Sequence, residues 1–348
     1  MLSWSEVDSA DAPSHPRPRR PRARRPDRLL AAEPAGAQEV LTVAERDAVR
    51  QIGTRVEGRI VWSSNRGGNH DLYLVDLATG ETHQLTDHPS VDFFSRFSPD
   101  GQQISFLRSR RPYVSFRERT GWDLYIMDAD GGRQRRLARR AYHATWTPDG
   151  SGRVFERRGR IVRYDLATGE ETLVHGGRGA PIKGRLEEPE MLTDSLMSVA
   201  VRRVPRETVG VIDLAAGVYT PMSTDSDCQI TWIPGQRHVV WIAGQGHGGT
   251  RVEHRRLGDA APEVLIDLPL EYSHEYFPHV TADGQWLIWG AAAEGHERDL
   301  ADYELFVWKI GEPWDSALRL THSPANDQWP DLWVAPPSTD AAPRSAVR

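Results

Sequence analysis

One ten-residue phrase sets the terms for the whole chain. Residues 71–80 read Asp-Leu-Tyr-Leu-Val-Asp-Leu-Ala-Thr-Gly, and the phrase returns at 123–131, at 161–169 and, more faintly, at 211–217. Each copy alternates apolar and polar residues and then meets a glycine-bearing turn, the pattern of a strand entering a hairpin. A second phrase interleaves with the first. Phe97-Ser98-Pro99-Asp100-Gly101 is followed by a strand ending in Ile104-Ser105-Phe106, and Trp146-Thr147-Pro148-Asp149-Gly150 and Val280-Thr281-Ala282-Asp283-Gly284 repeat it. Weaker copies stand at Met191-Leu192-Thr193-Asp194 and Trp232-Ile233-Pro234-Gly235. Proline presets φ, glycine accepts positive φ, and aspartate can bond back to the turn backbone, so these acids are structural before they are catalytic.

Turns centred on residues 100, 149, 194, 235 and 283 give steps of 49, 45, 41 and 48 residues. That is the period of a four-stranded propeller blade, and no helix-length pattern interrupts it, which excludes βαβ units. The first blade begins with Gly58-Arg59-Ile60-Val61-Trp62, which reads as a second strand. The missing opening strand stands at the other end as Asp327-Gln328-Trp329-Pro330-Asp331-Leu332-Trp333. The 276 residues from 58 to 333 divide into six blades of 46. The expectation is an all-β, six-bladed propeller over 58–335, closed by a C-terminal strand that seals the last edges; a monomer is expected.

Ahead of it, residues 38–57 hold a short helix and linker. Thr42 caps a helix from Val43 to Ile52 and Glu45 completes a capping box, with Ala44, Ala48 and Ile52 as the apolar face. Residues 1–37 carry seven arginines between Arg17 and Arg28, interleaved with Pro16, Pro18, Pro21 and Pro26. So many prolines and no periodicity predict a disordered basic tail; residues 336–348 are expected to be a second disordered tail. A formal net charge of -6 argues against nucleic acid as a partner of the whole molecule. No stretch approaches the roughly 18 apolar residues of a membrane span. The chain as written shows no export signal, which predicts a cytoplasmic protein; a different N-terminus would allow a periplasmic one. The one cysteine, Cys228, excludes an internal disulfide.

Ser98-Pro99-Asp100-Gly101, Ser64-Asn65-Arg66-Gly67-Gly68, Leu85-Thr86 and the Leu-Tyr-x-x-Asp phrase together resemble the TolB-like (WD40-like, PD40) propeller repeat. They are similar, more distantly, to the propellers of prolyl oligopeptidase-type enzymes and oligogalacturonate lyases. The resemblance covers residues 58–333 and implies the fold far more than any activity. Two departures bear on function. The 57 residues before the first blade are too few for the N-terminal α/β domain of TolB, and no G-x-S-x-G nucleophile elbow occurs.

Aligned on their turns, the blades bring six segments to the mouth of the channel: 91–94, 140–143, 185–188, 226–229, 274–277 and 326–329. Four carry an acid at one height, Asp92, Asp227, Glu275 and Asp327, with Arg140 and Arg185 one step earlier. Such a binding rim suits a cation, a basic peptide or an acidic sugar, and is equally what a water-filled channel requires. His143, Glu275 and His279 could offer N and O ligands to manganese, zinc or another divalent cation. The lyase resemblance implies His274 or His279 as the base, with Arg140 or Arg185 neutralising a uronate carboxylate. In that family's pattern Asp227 stands where a second histidine is expected. Two long insertions, Arg108–Trp122 and Gly290–Tyr303, break blades between their second and third strands and are candidate binding loops. The reading is a non-catalytic propeller binding an unidentified protein, peptide or acidic sugar at its channel mouth, without a cofactor. A metal-dependent polysaccharide lyase acting by β-elimination is the alternative.

Overall fold

The computed structural model describes residues 40–112, 121–176, 180, 182, 184–202, 207–224, 227–244, 246–293 and 301–336. The basic tail and the end of the chain therefore lie outside the described residues, as do 113–120 and 294–300 of the two insertions. Among the described residues, twenty-four strands form six four-stranded antiparallel sheets. Blade 2 is Asp92–Phe97, Gln103–Ser109, Trp122–Asp128 and Arg135–Arg139, running from the channel outward, and blade 3 is Tyr142–Trp146, Gly152–Arg157, Arg160–Asp165 and Glu171–His175. Blades 4, 5 and 6 begin at the channel with Arg185–Met191, Cys228–Ile233 and His274–Val280.

Blade 1 takes its innermost strand, Asp327–Val334, from the C-terminal end of the fold. It pairs with Gly58–Ser64 in the register Gly58↔Val334, Ile60↔Leu332 and Ser64↔Asp327. The seam to blade 2 is tight. A Cβ on Gly101, which sits at φ +70°, would lie 2.3 Å from the Trp333 ring. Glycine there meets both the turn and the close approach. Arg59 lies over Trp333 at 4.7 Å, and the Trp333 indole donates to Pro99 O at 3.2 Å.

The repeated turns do what their sequence predicts. Asp100 Oδ1 accepts from Gln102 N, Asp149 Oδ1 from Ser151 N and Asp283 Oδ1 from Gln285 N, each at 3.0 Å. In the other phrase, Asp76, Asp165 and Asp213 each accept two backbone N–H groups from the following turn. Tryptophans fill the spaces between sheets; Trp62, Trp122, Trp232, Trp241 and Trp289 are almost wholly buried. Such rings bury roughly 150–250 Å² each and dominate the packing of a core.

The helix spans Val43–Gly53 and has the expected capping box, with Thr42 N donating to Glu45 Oε2 at 2.7 Å. Its buried face differs from the predicted one. Ala44 is exposed, and Glu45, Ala48, Val49 and Ile52 turn inward. The shift brings Glu45 to Arg66 at 3.2 Å, and Arg66 reaches on to Asp327 at 3.1 Å. One arginine of the Ser64–Gly68 loop thus joins the helix cap to the first residue of the closing strand.

Candidate functional site

Every innermost strand carries one irregularity at the same place. The ladder shifts register between Phe93 and Arg96, Tyr142 and Thr145, Glu187 and Glu190, Cys228 and Thr231, Tyr276 and His279, and opposite Val61 and Ser63 on the closing strand. At each shift stands a non-glycine residue with left-handed backbone: Phe94, His143, Glu188, Gln229, Phe277 and Trp329, with φ between 45° and 60°. The left-handed conformation costs a non-glycine residue roughly 1–2 kcal/mol. The bulge bends the strand and re-aims the side chain, and all six meet about the channel axis.

Trp329 packs on Phe94 at 4.7 Å and on Phe277 at 4.4 Å. Phe94 touches His143 at 5.6 Å between ring centres, and His143 Nε2 lies 3.6 Å from Glu188 Oε1. The circuit closes through the backbone, where Gln229 N donates to Glu188 Oε2 and Phe277 N donates to Gln229 Oε1 at 2.6 Å. Phe94, His143, Gln229, Phe277 and Trp329 are no more than 5% exposed. This layer seals the channel.

Two residues further along each strand lies a second, polar layer: Arg96, Thr145, Glu190, Thr231, His279 and Asp331. Beyond it a cavity of about 250 Å³ opens toward the face carrying the Pro-Asp-Gly turns, with Pro99, Pro148, Pro234, Ala282 and Trp333 among its rim residues. His279 Nδ1 lies 2.8 Å from Asp331 Oδ1, and Asp331 Oδ2 accepts from Phe97 N at 2.7 Å. Burial would raise the Asp331 carboxyl, but His279 and the Arg96 charge outweigh it and hold it below the usual range. Burial raises Glu190, which accepts from Thr231 Oγ1 at 3.2 Å. Arg96 donates to Ser95 O and Pro330 O, and lies 4.7 Å over the Phe94 ring. Beside it Arg153 is wholly buried against Trp146, and burial and the neighbouring Arg96 charge both depress its pKa.

The structure redistributes the residues that the sequence placed at one mouth. The six segments do align, each ending on a residue of the sealing layer. The acids two positions earlier are not exposed at a rim: Asp92, Glu275 and Asp327 are 0% exposed and Asp227 4%. Asp92 is held by both Nε and Nη2 of Arg108 at 2.7 Å, Asp327 by Arg66, and Glu275 accepts from Leu268 N at 2.7 Å and Thr250 Oγ1 at 3.0 Å. His143, Glu275 and His279 do not converge. His143 belongs to the sealing layer, Glu275 turns toward blade 5, and His279 faces the cavity beyond. Among the described residues no three His, Cys, Asp or Glu side chains come together as metal ligands, so this set does not fit manganese or another divalent cation. His274 contacts Ser273 Oγ at 3.3 Å, Arg185 reaches Glu156 at 3.2 Å, and Arg140 lines a groove on the outside of blades 2 and 3. The candidate base His279 and the two arginines named for a uronate thus lie at opposite ends of their strands. Sequence reasoning missed Arg96, Glu190 and Asp331, whose shared offset from the sealing layer becomes visible only with the bulges.

Crystalline TolB from Acinetobacter baumannii superposes with a TM-score of 0.59 at 13% identity, over 79% of this chain and 66% of that one. The fold is that of the TolB propeller. A chain of the nidogen/laminin complex aligns at TM-score 0.55 and 10% identity, over 79% of this chain and 98% of its own length. In sequence, the Tol-Pal system protein TolB of Francisella tularensis is 33% identical over 73 residues, 21% of this chain and 15% of that protein. The match thus spans about one seventh of the curated relatives' length. No family profile matches the chain. Among the described residues no helix is long and apolar enough to cross a membrane.

Proposed function

We propose that this protein is a non-catalytic binding propeller that accepts a segment of a protein or peptide partner into the blind cavity on its Pro-Asp-Gly turn face. The observation that carries the reading is the sealed layer from Phe94 to Trp329. It turns a through-channel into a pocket with one entrance, a polar floor and a rim of proline, alanine and tryptophan. Concave, partly apolar pockets with a few convergent polar groups are the usual form of a binding site. The stretch shared with the Tol-Pal system protein TolB, together with the common fold, supports a binding role.

Ala282 is exposed at the entrance, so Ala282→Trp narrows it without disturbing the core. Dodecapeptides selected from a random display library against the wild-type chain should lose at least tenfold in affinity for that variant. They should bind Ala167→Trp, on a remote exposed turn, as they bind wild type. Binders indifferent to Ala282→Trp, or none at all, would refute the pocket. A rise in ultraviolet absorbance on incubation with oligogalacturonate and manganese, marking an unsaturated product, would refute the non-catalytic reading instead.

A further inference from the structure

Outside the channel, between blades 2 and 3, lies a groove of about 840 Å³ whose lining is dominated by arginine: Arg110, Arg139, Arg140, Arg157, Arg158 and Arg160. They come from three places in the fold. Arg110 follows the second strand of blade 2, Arg139 ends its outermost strand with Arg140 next after it, and the rest flank the hairpin turn joining the second and third strands of blade 3. The chain as a whole carries a formal charge of -6, so this positive field is local and has no counterpart in the overall balance.

The groove's own acids do not neutralise it. Among the described lining residues Glu171 is the only carboxylate, and Arg157 holds both its oxygens. Arg110 leans on Asp123 at 3.9 Å. No carboxylate among the described residues lies within ion-pair distance of Arg139, Arg140, Arg158 or Arg160, and the side chains of Arg139, Arg140, Arg158 and Arg160 belong to exposed residues. Four like charges gathered in one concavity repel one another unless an anion joins them.

We propose that this groove binds an extended acidic peptide segment with aliphatic side chains between its carboxylates. Leu137, Val162 and Leu173 also line the groove, and Leu173 is 56% exposed, which offers an aliphatic floor between guanidinium walls. The groove is flanked by Arg135–Arg139 and Glu171–His175, each the outermost strand of its sheet and so carrying an outer edge with no ladder partner in that sheet. An edge of that kind favours an extended chain, whose alternate side chains point to opposite faces. Guanidinium forks match carboxylates bidentately. Single-stranded nucleic acid would call for aromatic rings to stack on, and none is found among the described residues that line this groove.

The test uses the full chain and fluorescence anisotropy of labelled peptides at low and moderate salt. A peptide of alternating Glu and Leu is compared with one of Gln and Leu, and with an oligothymidylate of equal charge. The Glu–Leu peptide should bind wild type and Arg256→Glu alike, and bind Arg158→Glu/Arg160→Glu at least tenfold more weakly, with unchanged melting of each protein. The arginines of the N-terminal tail are common to all three proteins, so their contribution cancels. If the double variant does not fold, Arg139→Gln, exposed on an edge strand, should show a smaller loss of the same sign. Equal binding to wild type and groove variants overturns the site, as does equal binding of the Gln–Leu peptide. Tighter oligothymidylate binding with the same dependence on Arg158 and Arg160 makes it a nucleic-acid site. Ala282→Trp should leave the Glu–Leu peptide bound, which separates this groove from the channel pocket.

Discussion

Glu275→Gln should make the protein more stable at alkaline pH while leaving it nearly unchanged in acid. Two of the equivalent acids carry a cation, Arg108 on Asp92 and Arg66 on Asp327. The fully buried Glu275 instead accepts from Leu268 N and Thr250 Oγ1, and burial pushes its carboxyl from 4.5 up to about 7. Thr250 Oγ1 lies 2.9 Å from Glu275 O and 3.0 Å from Glu275 Oε2. One hydroxyl proton cannot serve both acceptors. It goes to the backbone oxygen when Glu275 is protonated and donates back to Thr250, and glutamine can make the same pair of bonds.

The sign follows from linkage. An acid whose folded pKa is raised contributes stability that is complete below its unfolded pKa and lost as pH rises through the folded one. A rise from 4.5 to about 7 corresponds to roughly 3 kcal/mol in all, of which about 2 kcal/mol is lost between about pH 5.5 and 8. For roughly 300 ordered residues, with an unfolding entropy near 2 cal/mol/K per residue, that is about 3 °C in Tm. Asp71 and Asp327 near 6 and Glu304 near 8 shift in the same direction, so wild-type stability should fall over this range from several sources at once. The informative quantity is therefore the difference between wild type and Glu275→Gln, measured by calorimetry at both pH values. A Tm gap that does not widen toward pH 8 in favour of the variant would refute a neutral buried Glu275.

Arg66→Ala should destabilise the fold by about 3–5 kcal/mol, because it leaves two buried carboxylates without their cation; urea unfolding of the variant measures it, and adding Glu45→Gln and Asp327→Asn should recover most of the loss. Ending the chain before Asp327 removes the innermost strand of blade 1 and uncovers edges on both sides of the seam, so far-ultraviolet circular dichroism should show no cooperative melt. Trp329→Ala deletes the ring that touches Phe94 and Phe277, with an expected loss of about 3–5 kcal/mol in the same urea assay. Its opening of the sealed layer should also increase exchange of the Gln229 and Phe277 amides with deuterium.

The propeller was legible because its information is local. A short phrase of proline, aspartate and glycine specifies a turn wherever it falls, and five such turns, complete or degenerate, at one period specify a ring. The closing strand was legible for the same reason, as a phrase missing from one end and present at the other. The helix cap follows from its sequence and the buried face does not, because polarity alone favours burial of Ala44 over Glu45. Arg66, 21 residues downstream, makes burial of Glu45 the better arrangement.

The site was less legible because bulges and inter-blade contacts have no local grammar. Left-handed backbone is announced by glycine or asparagine, yet here Phe94, His143, Glu188, Gln229, Phe277 and Trp329 adopt it, held by neighbours up to 235 residues away in the chain, as Trp329 is by Phe94. A strand read as regular places Asp92 and its equivalents on the channel. One bulge moves the axis to Phe94 and its equivalents, and sends the acids between sheets, where Asp92 and Asp327 meet arginine and Glu275 a threonine hydroxyl. The same shift carries the pocket to the far end of the strands, where the repeated turns form its rim. The turns that reveal the fold in the sequence therefore also bound its cavity, while the residues at the cavity's floor, Arg96, Glu190, His279 and Asp331, share no motif and acquire a common position only from the bulge that precedes them.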